Sequence, residues 1–179
     1  MLNMPLDADE AKAFNADVVI VATGSVPDGK AFQRAMPEWE TLPGIDCGHV
    51  ASCEDVMARI VRPGHGVLLL DETANWKGSG TALMLAELGH EVTLVTPAAS
   101  VMFEMARTNA DVQMRMRLRE LGVRMITDAV LREWQGSGGL VQCAGGKPEY
   151  IAADTLVTAS TNVSNRDLGD ALSAPVIGD

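Results

Sequence analysis

Short runs of consecutive aliphatic residues alternate along this chain with stretches in which apolar residues recur every three or four positions. That is the pattern of strands buried on both faces and joined by amphipathic helices. Val67-Leu68-Leu69-Leu70 and Glu91-Val92-Thr93-Leu94-Val95 are two such runs, separated by a polar turn over 71–77 and a segment from Gly78 to Leu88 that reads as a helix. Strand, turn, helix and strand in this order predict a βαβ unit. Within 109–121, Met114, Leu118 and Leu121 lie at helical spacing as a core stripe, Gly122 closes that helix, and 123–126 reads as the next strand. Residues 129–134 and 140–143 bracket Gly136-Ser137-Gly138-Gly139, a hairpin signal. An aliphatic strand is also expected over 16–21, and 28–40, with Pro37, Trp39 and little periodicity, reads as a surface loop. Trp39 suits an interface anchor and local packing equally.

Composition narrows the class without naming a function. The 179 residues are 47% hydrophobic and 21% charged with 17 glycines, ordinary values for one α/β domain. A formal net charge of −10 repels a phosphate backbone, so no nucleic-acid partner is expected. No apolar run reaches the roughly 20 residues of a membrane span, and the first residues have neither the basic start nor the apolar core of a signal peptide. The expectation is a cytoplasmic protein with no membrane partner. Cys47, Cys53 and Cys143 lack C-x-x-C spacing, and His49, His65 and His90 lie in separate turns, so no metal ligands are assigned. Neither a Walker A loop nor a Gly-x-Ser-x-Gly elbow is present, and no catalytic residue is assigned.

Candidate chemistry concentrates in the turn of the βαβ unit. Counting back from Leu88-Gly89-His90-Glu91-Val92 puts Gly78 at the third glycine of a G-x-G-x-x-G fingerprint, where helix and strand pack closely. Thr73 and Asn75 then hold the first two glycine positions. A Cβ at the first crowds the tight turn, and one at the second stands where the backbone would approach a pyrophosphate. Asp71 and Glu72 place negative charge beside a helix N-terminus that would otherwise attract phosphate. After the second strand, Thr96-Pro97-Ala98-Ala99 offers neither an acid for an NAD ribose nor a base for an NADP phosphate. The unit reads as a structural relic or a changed site.

The flanking segments carry a resemblance. Residues 16–27, an aliphatic run into Ala22-Thr23-Gly24 and then Pro27, resemble the Ala-Thr-Gly segment that joins the FAD domain to the inserted NAD(P) domain in two-dinucleotide-domain flavoprotein reductases. Leu42-Pro43-Gly44 resembles the connector that follows it, and 53–57 the short helix before the nucleotide strand. Residues 153–161 resemble the return strand, with Thr161 in place of its terminal glycine. Val176-Ile177-Gly178-Asp179 is similar to the start of the Gly-Asp motif, whose aspartate meets the ribityl or ribose-phosphate part of FAD. With the run 71–95, the chain resembles the C-terminal FAD/NAD(P)-binding region of multidomain NADH:flavin oxidoreductases of the old yellow enzyme type. These include 2,4-dienoyl-CoA reductase, trimethylamine dehydrogenase and N-methyl amine demethylases.

The resemblance implies an α/β fold: a Rossmann-like, three-layer βαβ NAD(P)-binding-type domain with a β meander, flanked by edge strands of an FAD-type domain. The expected division is 1–27 as the FAD-type remnant and crossover strand, 28–62 as connector, 63–162 as the NAD(P)-type domain and 163–179 as the return. Leu2-Asn3 looks like the end of an FAD-domain strand, so the chain is expected to be a fragment. Its implied cofactor-binding positions are Thr23, Gly24, Thr73, Asn75, Gly78, Gly178 and Asp179. The resemblance gives the parent protein FMN on a TIM barrel, a 4Fe-4S cluster, FAD or ADP, and in the reductase branch NAD(P)H. The fragment itself is expected to hold no cofactor and to be inactive alone. Implied partners are the FMN-binding barrel and an electron-transfer protein. Loss of the turn glycines favours the amine-oxidising branch, whose electrons leave to a protein acceptor. The alternatives are a non-catalytic adenine-nucleotide-binding or domain-interaction scaffold, and a working NAD(P)H-binding domain.

Overall fold

Buried on both faces, a strand needs residues that are apolar or hydrogen-bonded at every position: Val67 to Leu70 of Gly66–Asp71 are all aliphatic, and Thr155–Ala159 is buried throughout with its two threonine hydroxyls hydrogen-bonded. The computed structural model describes residues 4–178, so the expectations for Leu2, Asn3 and Asp179 lie outside the described residues. In chain order the elements are α1 (Ala8–Ala13), β1 (Ser25–Pro27), β2 (Val50–Ser52), α2 (Cys53–Met57), β3 (Gly66–Asp71) and α3 (Trp76–Glu87). They continue with β4 (Glu91–Val95), a 3-10 helix (Phe103–Thr108), α4 (Ala110–Glu120), β5 (Arg124–Ile126), β6 (Ala129–Trp134), β7 (Gly138–Cys143), β8 (Glu149–Ala152), β9 (Thr155–Ala159), β10 (Asn162–Ser164) and α5 (Asp167–Leu172).

The chain divides into two compact units, 28–161 and the pair of segments 1–27 and 162–179. In the larger unit a five-stranded parallel sheet runs β2-β9-β3-β4-β5, and an antiparallel meander runs β6-β7-β8. Alternation along β3 creates the layers. Val67 and Leu69 pack with Ala82 and Leu85 of α3 and with Met114 and Leu118 of α4, whereas Leu68 and Leu70 pack with Leu131, Trp134, Val141 and Ile151 of the meander. Helices, parallel sheet and meander are therefore the three layers, as the family resemblance implied. Gly138 and Gly139 lie inside β7 because Cβ atoms there would overlap Ile151 and Tyr150, or Leu131 and Leu68. The connecting turn is consequently 135–137, shorter than the glycine cluster suggests.

The loop at 28–40 contains no helix or strand, as expected. Gln33 fastens it to β6, its amide oxygen accepting the Leu131 N–H at 2.8 Å and its amide nitrogen donating to the Leu131 carbonyl at 2.7 Å. Trp39 stacks beneath Arg132 at 4.6 Å, which gives this tryptophan a local packing role.

In the smaller unit β1 and β10 form an antiparallel ribbon, and Val21 makes a parallel bridge to Val176. The strand expected over 16–21 is reduced to that bridge. Val18 and Ile20 are 71% and 60% exposed, and no described strand pairs with them. An aliphatic run becomes a strand only where a neighbour completes its ladder. Helix α1 is closed by a capping box between Asp7 and Glu10, and it was not foreseen because it is a single short polar turn.

Candidate functional site at the carboxyl ends of the central strands

The central sheet reverses direction of growth between β3 and β9: from β3 the chain proceeds to β4 and β5, and only later returns with β9 on the other side, between β3 and the earlier strand β2. In open α/β sheets the crevice at such a reversal, beyond the strand carboxyl ends, is where ligands bind. Here that crevice is bounded by the turn after β3, the start of α3 and the residues that follow β9.

Asp71, the last residue of β3, is fully buried. Its Oδ1 accepts the backbone N–H groups of Thr73 at 3.0 Å and Ala74 at 2.9 Å and the Thr73 hydroxyl at 2.8 Å. Its Oδ2 is buried with no hydrogen-bond partner among the described residues. Burial pushes the Asp71 carboxyl above the ordinary range, against the pull of the Thr73 hydroxyl, the two amides and the Lys77 charge. Ala74 sits at φ 48°, a left-handed conformation costing about 1–2 kcal/mol for a residue with a Cβ.

The neighbouring carboxylate goes elsewhere. Glu72 Oε2 lies 3.6 Å from Arg34 Nε and accepts the Arg34 backbone N–H at 3.3 Å, while Arg34 Nη2 donates to the Glu72 carbonyl at 2.6 Å. Burial raises the Glu72 carboxyl, and Arg34 opposes the rise. Of the two charges expected beside the helix, Asp71 holds the turn amides and Glu72 is bound to the loop at 28–40.

Helix α3 begins at Trp76, two residues ahead of the Gly78 start expected from the glycine count. Asn75 is its cap and accepts the Lys77 N–H at 2.8 Å. Thr73 and Asn75 therefore bond within the turn and the helix cap. Gly78 faces the Asp71 carboxyl so closely that a Cβ would overlap it. Gly78→Ala should consequently cost about 1–3 kcal/mol of stability, the range for overpacking. The denaturant midpoint measures it, and an unchanged midpoint would show that the Asp71 carboxyl moves aside freely.

Lys77 crosses the crevice. Its Nζ donates to the Ser160 carbonyl at 2.8 Å and pairs with Glu54 Oε1 of α2 at 2.7 Å. The Ser160 hydroxyl in turn donates to Asp28 at 2.9 Å. Beside this network Cys53 is buried, and that burial pushes its thiol up to about 12, so it is no nucleophile. On the other side of the turn a groove of about 350 Å³ is lined by Arg34, Glu72, Ala74, Ala98, Phe103 and Glu104. Arg34, Glu54, Lys77 and Ser160 escaped sequence reasoning because no motif links residues so far apart in the chain.

Thr23, Gly24 and Gly178 belong to the smaller unit. The Thr23 hydroxyl donates to the Asn165 carbonyl at 2.6 Å, the Gly24 carbonyl accepts the Asn165 N–H at 2.9 Å, and Gly24 has φ +70°. Val21 bonds to the chain on either side of Val176, through Pro175 at 3.0 Å and Ile177 at 2.9 Å. The segment ending in Gly24 and the segment ending in Gly178 thus run side by side. Thr73, Asn75 and Gly78 lie together in the larger unit.

Among the described residues no set of three His, Cys, Asp or Glu side chains is placed to hold a metal, and no helix is long and apolar enough to cross a membrane.

The sequence pattern of the pyridine nucleotide-disulphide oxidoreductases matches residues 4–175. An N,N-dimethylglycine/sarcosine dehydrogenase of Chromohalobacter salexigens is 33% identical over 56% of this chain and 15% of its own length. A cinnamate reductase of Clostridium sporogenes is 28% identical over 99% of this chain and 26% of its own. The structure of 6-hydroxypseudooxynicotine amine oxidase from Pseudomonas geniculata N1 superposes with a TM-score of 0.90 at 28% identity, covering 99% of this chain and 28% of that one. The chain therefore spans about a quarter or less of the length of the curated relatives it matches. Its three layers and its ordered segments agree with that match across nearly the whole chain, and the chain belongs to the pyridine nucleotide-disulphide oxidoreductase family, as an FAD/NAD(P)-binding-type region.

Proposed function

We propose that this chain is the dinucleotide-binding-type part of a larger flavin-dependent oxidoreductase, in which the nicotinamide site is filled by the protein's own side chains. The observation that carries this reading is Asp71, whose buried carboxylate accepts the Thr73 and Ala74 amides. These are turn amides of the kind that a working site offers to a pyrophosphate. Lys77 spans the adjoining crevice to Ser160 and Glu54. The residues present do not fit a nicotinamide dinucleotide.

In this reading 1–27 and 163–179 belong to an FAD-type domain, 28–62 connects, and 63–162 is the NAD(P)-type domain. Thr23, Gly24, Gly178 and Asp179 would line the FAD or ADP side. FMN and a 4Fe-4S cluster would belong to a TIM barrel elsewhere in the parent chain. Resemblance to amine dehydrogenases supports electrons that arrive from an amine and leave to a protein acceptor, with no catalytic residue in this region.

Titration calorimetry with NADH and NADPH tests this, and no saturable binding is expected in the micromolar range. A dissociation constant of a few micromolar, about −8 kcal/mol, would overturn it in favour of a working reductase domain. Thr73→Gly with Asn75→Gly should not restore binding while Asp71 still occupies the amides. A second reading, an adenine-nucleotide module, is favoured by the groove beside Arg34. ADP binding that is lost in Arg34→Gln would support it.

A further inference from the structure

A polar cavity lies where α4, β5 and the residues after β4 meet, and it shares no lining residue with the groove beside Arg34. Its volume is about 500 Å³, within the range of small-molecule sites. Arg115 and Arg119, one helical turn apart on α4, line it together with Ser100, Val101, Met125 and Thr127. Arg115 is held in place by Asp111 and by its bond to the Val101 carbonyl at 3.3 Å. Arg119 has no ion pair, and the Ser100 and Thr127 hydroxyls have no hydrogen bond, among the described residues.

The two guanidinium groups and two hydroxyls that line this one concave site, with Arg115 partly engaged by Asp111 and Val101, offer more donors than a carboxylate has oxygens and suit a tetrahedral oxyanion. Val101 and Met125 supply an apolar wall beside them. We propose that this cavity binds a small organic phosphate monoester, with its phosphate between Arg115, Arg119, Ser100 and Thr127 and its apolar part against Val101 and Met125. Its rim at Ala99 adjoins Ala98 of the groove beside Arg34. Asp111 offsets part of the Arg115 charge and the whole chain is acidic, so recognition depends on contact in the cavity and not on long-range attraction.

Calorimetric titration of the chain with phenyl phosphate at low salt tests the proposal. Saturable binding with a dissociation constant below about 1 mM is expected. Arg119→Gln should weaken it about tenfold or more, the worth of a charge-assisted hydrogen bond. Thr127→Val should also weaken it, while Arg124→Gln, on β5 beside Met125 but outside the cavity, should leave it unchanged; circular dichroism checks that each variant folds. Phenol should not bind, and inorganic phosphate and benzoate should bind more weakly than phenyl phosphate. Absent binding, equal binding of benzoate, or equal loss in Arg124→Gln and Arg119→Gln would overturn the assignment.

Discussion

Replacing Gly44 by alanine is expected to destabilise the protein by about 3 kcal/mol or more, the sum of a left-handed backbone penalty and an overpacking cost. Gly44 has φ +80°, and a Cβ there would fall on the backbone carbonyl oxygen of Trp134. Neither partner can yield easily. The Trp134 N–H donates to the Pro43 carbonyl at 2.9 Å, its indole N–H donates to the Cys47 carbonyl at 2.8 Å, and its ring is among the largest fully buried side chains. Leu42 is buried beside it, so the connector and the meander are locked through backbone atoms. Gly29→Ala provides the comparison, because Gly29 has φ +68° and open space around its Cβ position. That variant should show the conformational penalty alone. Equal denaturant midpoints for the two variants would mean that the approach of Gly44 to Trp134 is not rigid.

The second large effect concerns charge. Asp71→Asn is expected to stabilise the protein at neutral pH by about 1 kcal/mol or more, because it removes a buried charge, each tenfold difference in proton affinity between folded and unfolded chain being worth about 1.4 kcal/mol. Asparagine can keep the acceptor that Thr73 and Ala74 use, and it removes the buried charge that Oδ2 carries unpaired. The pH dependence has a definite sign. Burial raises the Asp71 carboxyl in the folded state, so the folded protein holds its proton more tightly than the unfolded chain. Stability from this group is therefore greatest below the unfolded carboxylate value and falls as pH rises through the raised folded value. Glu72 is raised in the same direction and should leave a residual slope in the variant. Urea midpoints measured from below the ordinary aspartate value up to neutral pH should converge for parent and variant at the acid end and separate as pH rises. A variant less stable than the parent at neutral pH would show that the ionised carboxylate is needed, with Lys77 as the nearby compensating charge.

How much of this could be read in advance differs from element to element. The β3 run at Val67–Leu70 was legible because a strand between two layers has no polar positions to confuse its signal. Met114 and Leu118 were legible because their helical spacing is what buries them on the sheet. The run before Thr23 was misleading because strand formation depends on a neighbour, and only Val21 finds one among the described residues. At the site, Gly78 was correctly singled out as a point of close packing, although its contact is the Asp71 carboxyl. Glu72 could not be placed, since its partner Arg34 lies 38 residues away along the chain.

Local chemistry thus determined the αβ order, the parallel sheet, the meander and the family, because each rests on periodicity or on segments a few residues long. Thr73 and Asn75 in two glycine positions were also visible in the sequence, and so was the acidic pair that precedes them. Tertiary structure alone decided where those charges go. Asp71 satisfies the turn amides, Glu72 is drawn to Arg34, and Lys77 bridges Glu54 and Ser160 across the reversal of the sheet. A carboxylate's direction is set by which donors the fold brings within about 3 Å, and neighbours joined only by folding leave no trace in sequence spacing.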